Sequence, residues 1–307
     1  MELLKKLTAI KGASSDEGRI KQFLLDYIYK NSANWKIQPQ IIDNENFQET
    51  FILVFGKPTT AIYVHTDTVG FTVAPNRKLF KIGGPRREEG YELVGEDSKG
   101  EIKAELLVID HENGSQSLEY IFEREIDRGT ILTFKPNFVE TEIAIQSPYL
   151  DNRLGVWCAL KVAETLENGA IVFSTYEEHG GNTVSYSARY LYEKFNVRQA
   201  LICDITWVTD AVKHGKGVAI SMRDSMLPRR KYLNRLIELA KASGVTFQLE
   251  VESAGGSDGS VLQKSELLID WCFIGAPEDN VHSPKETVYK HDIKCMVEMY
   301  TYLMKNV

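Results

Sequence analysis

The spacing of apolar residues along the chain predicts alternating helices and strands. A capping-box pattern at Ser14 and Glu17 predicts a helix over residues 14–30, with Ser14 as its N-cap and Glu17 at the third helical position. The apolar side chains of this segment recur three and four positions apart and would form one buried face, made of Ile20, Phe23, Leu24, Tyr27 and Ile28.

Most of the remaining chain continues this alternation of element types. Short apolar runs predict strands at 51–55, 61–64, 170–174, 200–203, 218–222, 245–251 and 267–274. Helical spacing predicts helices at 154–166, 185–195, 228–244 and 287–305. This rhythm is typical of an α/β core, so we expect a mixed central sheet with helices on both of its faces.

The segment from residue 71 to residue 147 differs from the rest of the chain. Its short alternating runs are interrupted by Gly83-Gly84-Pro85, Asn113-Gly114 and Arg128-Gly129, and no stretch has helical spacing. We therefore expect a small all-β insert domain at 71–147 and an α/β domain formed by residues 1–70 together with 148–307.

The composition of the 307 residues is that of an ordinary globular protein, with 43% apolar and 26% charged residues. A net charge of −7 without a basic stripe argues against a nucleic-acid partner, and the absence of an 18-residue apolar span argues against a membrane helix. The N-terminus lacks the pattern of a secretory signal, so we expect a cytoplasmic location. Four cysteines without CxxC spacing are expected to be reduced core residues.

Histidine and acidic side chains follow predicted strands at the points where the strands end. His65 follows 61–64, Asp204 follows 200–203, and the pair Glu177-Glu178 comes shortly after 170–174. Functional groups of such sheets gather beyond the carboxyl ends of the strands, so we expect these side chains to converge. Imidazoles and carboxylates are the ligands that zinc, cobalt or manganese select. The pattern therefore indicates a hydrolase with a dinuclear metal site.

The adjacent carboxylates of Glu177 and Glu178 repel each other and are costly to bury unless a cation compensates them. With a metal present, Glu178 would coordinate it, while Glu177 would take a proton from the attacking water and return it to the leaving amine. A solvated acidic turn is the alternative. At His65, the carboxylate of Asp67 could accept the second ring N–H, although a simple surface turn also accounts for this pair.

Several other positions are ambiguous when each is taken alone. Asp151 opens a helical pattern and would serve as an ordinary N-cap, and His282 stands in an isolated polar segment near the C-terminus. The segment 255–259 predicts either a flexible acidic loop or a turn into a helix. The chain lacks the phosphate-binding, dinucleotide-binding and serine-hydrolase motifs, so those classes lose their main support.

Six motifs follow one another along the chain: His65-Thr66-Asp67-Thr68-Val69-Gly70, Leu150-Asp151-Asn152-Arg153, Glu177-Glu178-His179-Gly180, Asp204-Ile205-Thr206, Gly255-Gly256-Ser257-Asp258 and Val281-His282-Ser283-Pro284-Lys285-Glu286. In this order they resemble the glutamyl aminopeptidase and deblocking aminopeptidase family of co-catalytic metallopeptidases. The resemblance covers nearly the whole chain. Two departures are Asn152, where the family usually has a second Asp, and His179, where an apolar residue is common. In a third, Asn182-Thr183 displaces a further Gly that is expected after Gly180.

The resemblance implies a phosphorylase/hydrolase-like core and two divalent metal ions per chain, with zinc the first choice and cobalt or manganese as alternatives. It makes Asp151 the bridging ligand, His65 and Asp204 the other ligands of one metal, and Glu178 and His282 those of the second. Glu177 becomes the general base and Asp67 the group that orients His65. Substrate binding is expected at Gly256 and Asp258.

These observations lead us to expect a metal-dependent aminopeptidase that removes the N-terminal residue of short peptides. An N-acyl amino acid deacylase would use the same ligands on a blocked amine, and a catalytically silent binding protein could share the fold. The presence of Glu177 and all five expected ligands argues against the silent alternative. The insert resembles a β-rich insert that the family associates with assembly, so a homo-oligomer is expected.

Overall fold

The computed structural model describes residues 1–181 and 183–307, and within these residues seventeen strands form two sheets. The strands are numbered in chain order: β1 (Gln40–Ile42), β2 (Phe51–Phe55), β3 (Thr60–His65), β4 (Gly70–Val73), β5 (Leu79–Ile82), β6 (Glu92–Asp97), β7 (Gly100–Asp110), β8 (Gln116–Ile121), β9 (Ile131–Phe134), β10 (Val139–Glu140), β11 (Ala144–Gln146), β12 (Gly169–Ser174), β13 (Gln199–Trp207), β14 (Val218–Arg223), β15 (Phe247–Val251), β16 (Asp270–Asp279) and β17 (Thr287–Tyr289).

The large sheet has the order β1-β2-β12-β3-β13-β16-β17-β11-β10, and β14 and β15 branch from it beside β16. Its centre is parallel, from β12 through β3 and β13 to β16. Strands β2, β3 and β12 are buried along their whole length, as apolar runs covered on both faces should be. The register pairs His65 with Ser174 and Asp204 with Gly275, so the carboxyl ends of these strands lie at one edge.

Seven helices are present in the described residues: α1 (Glu2–Ala9), α2 (Gly18–Asn31), α3 (Leu150–Ala163), α4 (Thr183–Phe195), α5 (Arg230–Ser243), α6 (Asp258–Lys264) and α7 (Lys290–Asn306). They pack on both faces of the large sheet. One core cluster joins α1, α2, α3, α5 and α7 to one face, and a second cluster joins α4 and α6 to the other. The expected α/β architecture is confirmed.

The small sheet contains β4 to β9 in the order β5-β4-β9-β6-β7-β8. It has its own core, in which Phe71, Leu93, Leu106 and Phe134 are fully or almost fully buried. The expected small all-β unit is therefore present. Strands β10 and β11 also fall within 71–147, but they join the large sheet through β17. The division of the chain into domains at residues 70 and 147 stays a prediction.

Two helix starts differ from the sequence prediction. The N-cap of α2 is Glu17 rather than Ser14, because the Ser14 hydroxyl donates a hydrogen bond to Asp67 and is not available to the helix. Ser15 also has a left-handed backbone, with φ of 78°. The last helix begins at Lys290, since the preceding residues form β17.

Across residues 1–181 and 183–307, none of the helices combines the length and the apolar character needed to span a bilayer. The four cysteines are buried and free, as expected for core-filling thiols.

Candidate metal centre

Two groups of potential metal ligands lie next to each other and share Asp151. The first group contains His65, Asp151 and Asp204, and the second contains Asp151, Glu178 and His282. Within each group the ligand atoms lie within 4.8 Å of one another. The structure therefore brings together all five side chains that the sequence analysis singled out as ligands.

The ends of the strands position most of these side chains. His65 is the last residue of β3, and Asp204 lies in the second half of β13. Glu178 belongs to a short 3-10 turn, Glu177–His179, that follows β12. His282 follows β16 and has a left-handed backbone with φ of 64°. The convergence expected at the carboxyl ends of parallel strands is present.

Asp151 lies at the beginning of α3 but is not the ordinary N-cap that the sequence suggested. The N-cap of this helix is Tyr149, and the φ and ψ angles of Asp151 and Asn152 are not helical. The irregular backbone presents the Asp151 carboxylate to both histidines instead of to the helix N-terminus. Its Oδ1 lies 3.3 Å from Nε2 of His65, and its Oδ2 lies 3.2 Å from Nε2 of His282.

The other carboxylates complete the two groups. Oδ2 of Asp204 lies 3.5 Å from Nε2 of His65, and Oε2 of Glu178 lies 3.1 Å from Nε2 of His282. Each imidazole thus directs its Nε2 atom toward two carboxylates.

The Nδ1 atom of each imidazole has a separate partner on its other side. For His65 the partner is Asp67, whose backbone oxygen lies 3.2 Å and whose Oδ1 lies 3.4 Å from Nδ1. For His282 the partner is the carbonyl oxygen of Gly84, at 3.1 Å, in the segment that follows β5. Such a partner fixes the ring orientation and the tautomer of a metal-binding histidine.

Asp67 also organises the neighbouring acidic turn. Its carboxylate is fully buried and accepts hydrogen bonds from the backbone N–H groups of Glu177 and Glu178, each at 3.1 Å. The Ser14 hydroxyl donates a further hydrogen bond at 2.6 Å. One carboxylate therefore contacts a histidine and the backbone of both glutamates.

Glu286 connects two parts of the centre that are far apart in sequence. Its carboxylate accepts hydrogen bonds from the backbone N–H of Asp151 at 3.1 Å and of His282 at 2.9 Å. Glu286 is almost completely buried, with 1% of its surface exposed. It therefore holds the backbone of the shared carboxylate and of a histidine at the same time.

The electrostatics of the centre favour bound positive charge. Burial raises the pKa of Glu177 well above its usual range and raises that of Glu178 to about 7. Burial lowers the pKa of His282, but hydrogen bonds and charge interactions with Asp151 and Glu178 outweigh it and raise that pKa to about 12. The direction of the His282 shift reflects the attraction between these carboxylates and a positive charge.

The residues fit a pair of divalent cations. Oε1 of Glu178 is buried and has no hydrogen-bond partner within residues 1–181 and 183–307. A buried carboxylate oxygen in that state is unfavourable unless a cation lies against it. The mixture of imidazole nitrogens and carboxylate oxygens suits zinc, cobalt or manganese.

A pocket of about 250 Å³ borders these residues and contains Asp151, Glu177 and Glu178 in its wall. Glu177 belongs to neither ligand group, so its carboxylate is left for another role. Gly256 lines this pocket as well. Asp258 accepts a hydrogen bond from the Ser174 hydroxyl and borders an adjacent pocket, which Glu177 and Gly256 also line.

Two of the departures from the family pattern have hydrogen-bond partners, and the third involves Asn182, which lies outside the described residues. The Asn152 amide donates to the Cys203 carbonyl and accepts from the Gly155 N–H, both at 2.9 Å. Nδ1 of His179 accepts a hydrogen bond from the backbone N–H of Gly83 at 3.0 Å. Asn152 thus fixes the start of α3, and His179 connects the acidic turn to the segment after β5.

The sequence profile of the M42 glutamyl aminopeptidases matches residues 89–299, which is more than half of the chain. The chain belongs to this family. The resemblance inferred from six short motifs is thereby confirmed, and the M42 protein is a metal-dependent peptide-bond hydrolase of the aminopeptidase class.

Individual relatives agree with the family assignment. The M42 chain is 26% identical to a protein of Acetivibrio thermocellus described as an aminopeptidase, over 97% of this chain and 96% of the relative. It superposes on an aminopeptidase of Desulfurococcus kamchatkensis with a TM-score of 0.85 at 20% identity, covering 100% of this chain and 94% of the other. A TET peptidase of Pyrococcus horikoshii gives a TM-score of 0.81 at 21% identity, with coverage of 100% and 99%. These structures share the fold of the M42 protein.

Sequence reasoning did not place Glu286, Gly84 or Ser14 in the metal centre. Glu286 stands in the same quoted motif as His282, so its position was visible but its two backbone partners were not. Gly84 acts through its carbonyl oxygen, which no side-chain pattern reveals. Ser14 was assigned to a helix cap, whereas its partner lies 53 residues further along the chain.

Proposed function

We propose that this M42 aminopeptidase removes the N-terminal residue of short peptides with two divalent cations. His65, Asp151 and Asp204 would hold one cation, and Asp151, Glu178 and His282 would hold the other. The observation that carries the proposal is that the two oxygens of Asp151 face different histidines. A carboxylate in that position can bridge two ions, which a mononuclear site would not require. Zinc is the first choice for both sites, with cobalt or manganese as alternatives.

When bound, the two cations would polarise the scissile carbonyl and lower the pKa of an attacking water. Glu177, which lines the pocket outside both ligand groups, would accept the proton of the water and return it to the leaving amine. Burial raises the pKa of Glu177, which increases the proton affinity of its carboxylate. Asp67 would position both the ring of His65 and the backbone of the base.

The first experiment tests metal dependence and separates the aminopeptidase from the deacylase. Protein depleted by chelation should lose cleavage of free-amine aminoacyl amides and regain it when two equivalents of zinc, cobalt or manganese per chain are restored. N-acetylated amino acids, assayed in parallel, should not be cleaved. Full activity in a preparation shown by metal analysis to contain no metal would contradict the dinuclear proposal. Cleavage restricted to the acetylated panel would establish the deacylase.

We further propose that the protein is cytoplasmic, that its partners are short peptides and that the chain forms a homo-oligomer. The TET peptidase of Pyrococcus horikoshii, whose fold this chain shares, can assemble into a tetrahedron or a large octahedral shell. Light scattering at micromolar concentration should give a mass that is a multiple of 34.8 kDa. A mass equal to one chain would contradict the proposal.

A further inference from the structure

The pocket next to the metal centre contains three acidic side chains that the proposed reaction does not use. Asp224, Glu250 and Glu252 line it together with the ligands and Glu177. Among the described residues that line this pocket there is no Lys or Arg, and the only histidine is the proposed ligand His282. Two bound cations would balance the ligand carboxylates but would leave these three acids uncompensated.

The parallel pairing of β14 and β15 brings the three acids together. Ser221 of β14 pairs with Glu250 of β15, and Asp224 directly follows β14. The backbone N–H of Glu252 then donates to the carbonyl of Arg223 at 3.1 Å, which extends the pairing beyond the strands. Glu250 therefore lies within β15, and Asp224 and Glu252 each directly follow one of the two paired strands.

Two of these acids are deeply buried. Asp224 is 8% exposed and Glu250 is 3% exposed. Oδ1 of Asp224 accepts a hydrogen bond from the Met226 N–H at 2.6 Å, whereas its Oδ2 has neither a hydrogen-bond nor an ion-pair partner in the described part of the chain. Glu250 accepts a hydrogen bond from the Thr206 hydroxyl. Within the described residues, neither Asp224 nor Glu250 has a buried carboxylate oxygen without a partner, so the oxygens that make no hydrogen bond are open to the solvent of the pocket. A cation entering the pocket would interact favourably with these carboxylates.

The same pocket also has an apolar wall. The side chains of Ile205, Trp207 and Phe273 line it, and Trp207 remains 43% exposed. Lysine and arginine combine a long alkyl stem, which packs on apolar surface, with a terminal positive charge. An apolar wall combined with buried carboxylates matches both parts of such a side chain.

We propose that this pocket binds the side chain of a basic N-terminal residue, lysine or arginine, and that Asp224, Glu250 and Glu252 determine this specificity. The alkyl stem would lie along Trp207 and Phe273, and the cationic group would reach the acids. The inference rests on the proposed aminopeptidase function, because it identifies this pocket as the place where the substrate's first side chain lies.

The first test compares aminoacyl amides whose first residue is lysine, arginine, norleucine, leucine or glutamate. Norleucine has the straight alkyl chain of lysine without its charge, so the ratio of kcat/KM for lysine to that for norleucine isolates the charge interaction. Hydrogen bonds to charged groups predict a ratio of roughly 10 to 100. A ratio near one, or a preference for glutamate, would overturn the inference while leaving the aminopeptidase function intact.

Substitutions of the three acids test whether these side chains cause the preference for lysine over norleucine. Asp224→Asn, Glu250→Gln and Glu252→Gln should each reduce the lysine-to-norleucine ratio, mainly through KM for the lysine substrate. Glu252 is only half-buried and makes no side-chain bond within the described residues, so Glu252→Gln tests the idea even if the buried variants fold poorly. Glu238→Gln, an exposed change on α5, is the matched control and should leave the ratio unchanged. An unchanged ratio in Glu252→Gln and in every other folded variant would refute the assignment.

A binding measurement separates this inference from the proposed function. Calorimetry with the metal-loaded protein should show that free L-lysine binds more tightly than free L-norleucine, by a factor that falls in Glu252→Gln. If no substrate is cleaved but lysine binds preferentially, the aminopeptidase function fails and the pocket assignment stands. If free-amine substrates are cleaved but lysine and norleucine bind equally, the function stands and the pocket assignment fails.

Discussion

The Oδ1 atom of Asp67 accepts a hydrogen bond from the backbone N–H of Glu177 at 3.1 Å, although the two residues are 110 positions apart. The same carboxylate also contacts the ring of His65 and the backbone of Glu178. Asp67 therefore contacts a histidine that is a proposed metal ligand, the proposed base and a second proposed ligand, and it belongs to neither ligand group itself. This arrangement makes the centre sensitive to a change at a residue that binds no metal.

We predict that Asp67→Asn weakens metal binding by roughly 10- to 100-fold, the usual effect of losing a carboxylate partner of a ligating histidine. The Asn amide group would direct N–H donors toward backbone N–H groups, so at least one of the hydrogen bonds to the acidic turn would be lost. Competition with a chromogenic chelator measures the affinity. Ser14→Ala removes a single hydrogen bond to the same carboxylate and should have a smaller effect. Equal metal affinity in wild type and Asp67→Asn would exclude this role.

Glu177→Gln and Glu178→Gln should give opposite patterns although the residues are adjacent. Glu177→Gln keeps the shape of the side chain but removes its proton affinity, so kcat should fall on the order of 10²- to 10⁴-fold while metal content persists. Glu178→Gln should lower the occupancy of one metal site, and part of its activity should return at high metal concentration. Metal analysis and turnover must be measured on the same preparations. Full turnover in Glu177→Gln would disprove its role as base.

Glu286→Gln should also weaken metal binding, because one of the two backbone N–H groups of Asp151 and His282 would then face the amide NH₂ group. Outer partners of metal ligands typically contribute roughly 10- to 100-fold in affinity. Glu193→Gln, an exposed acid on α4, is the matched control. If both variants bind metal like the wild type, Glu286 does not support the metal ligands. A lower thermal stability of Glu286→Gln at unchanged metal affinity would then show that Glu286 has only a structural role.

Glu17 predicts a pH dependence of stability. Burial and the nearby charge of Asp67 raise its pKa from 4.5 to about 7. The folded protein therefore holds a proton that the unfolded chain releases, so the free energy of unfolding should decrease as the pH rises from about 4.5 to about 7. From about 1.36 kcal/mol per pKa unit, the contribution is roughly 3 kcal/mol.

Glu17→Gln should remove this contribution, because glutamine stays neutral and can still accept the hydrogen bond of the Tyr176 N–H. Urea unfolding of the wild type and the variant at pH 5 and pH 8 measures the difference between their free energies of unfolding. The variant should be the more stable protein at pH 8, and its advantage should be smaller at pH 5. Asp16→Asn, an exposed neighbour, is the control and should follow the wild type. A difference that is the same at both pH values would contradict the assignment.

The predicted strands agree closely with the observed ones where apolar runs are buried on both faces. The run 51–55 became β2 with the same bounds, and 170–174 became β12 with one additional residue. A strand that is buried on both faces requires a continuous run of apolar residues, and such a run is visible in a single sequence. The start of α2 was predicted wrongly because its capping signal was local, whereas Ser14 bonds to a distant carboxylate. Helix α1 was not predicted.

The candidate site likewise contains some residues that the sequence pattern predicts and others that it does not. The positions of His65, the acidic pair and Asp204 at strand ends predict their convergence, because parallel strands bring their carboxyl ends to one edge. Asp151 and His282 were identified as ligands only through the family resemblance, because an aspartate at a helix start and a single histidine have common structural explanations. The irregular backbone at Asp151 and the two hydrogen bonds of Glu286 depend on tertiary contacts that leave no periodic signal.

The hydrogen bond between His282 and the Gly84 carbonyl links a proposed metal ligand to the main chain of the segment that follows β5. A Cβ atom at Gly84 would meet Nδ1 of the imidazole at 3.3 Å, so the chain path here is closely adjusted to the ring. Because a carbonyl makes the contact, it depends on the chain path at Gly84 and not on any side chain of this segment. A shortened or exchanged small sheet is therefore expected to disturb the proposed ligand His282 even when every proposed ligand and the base are kept.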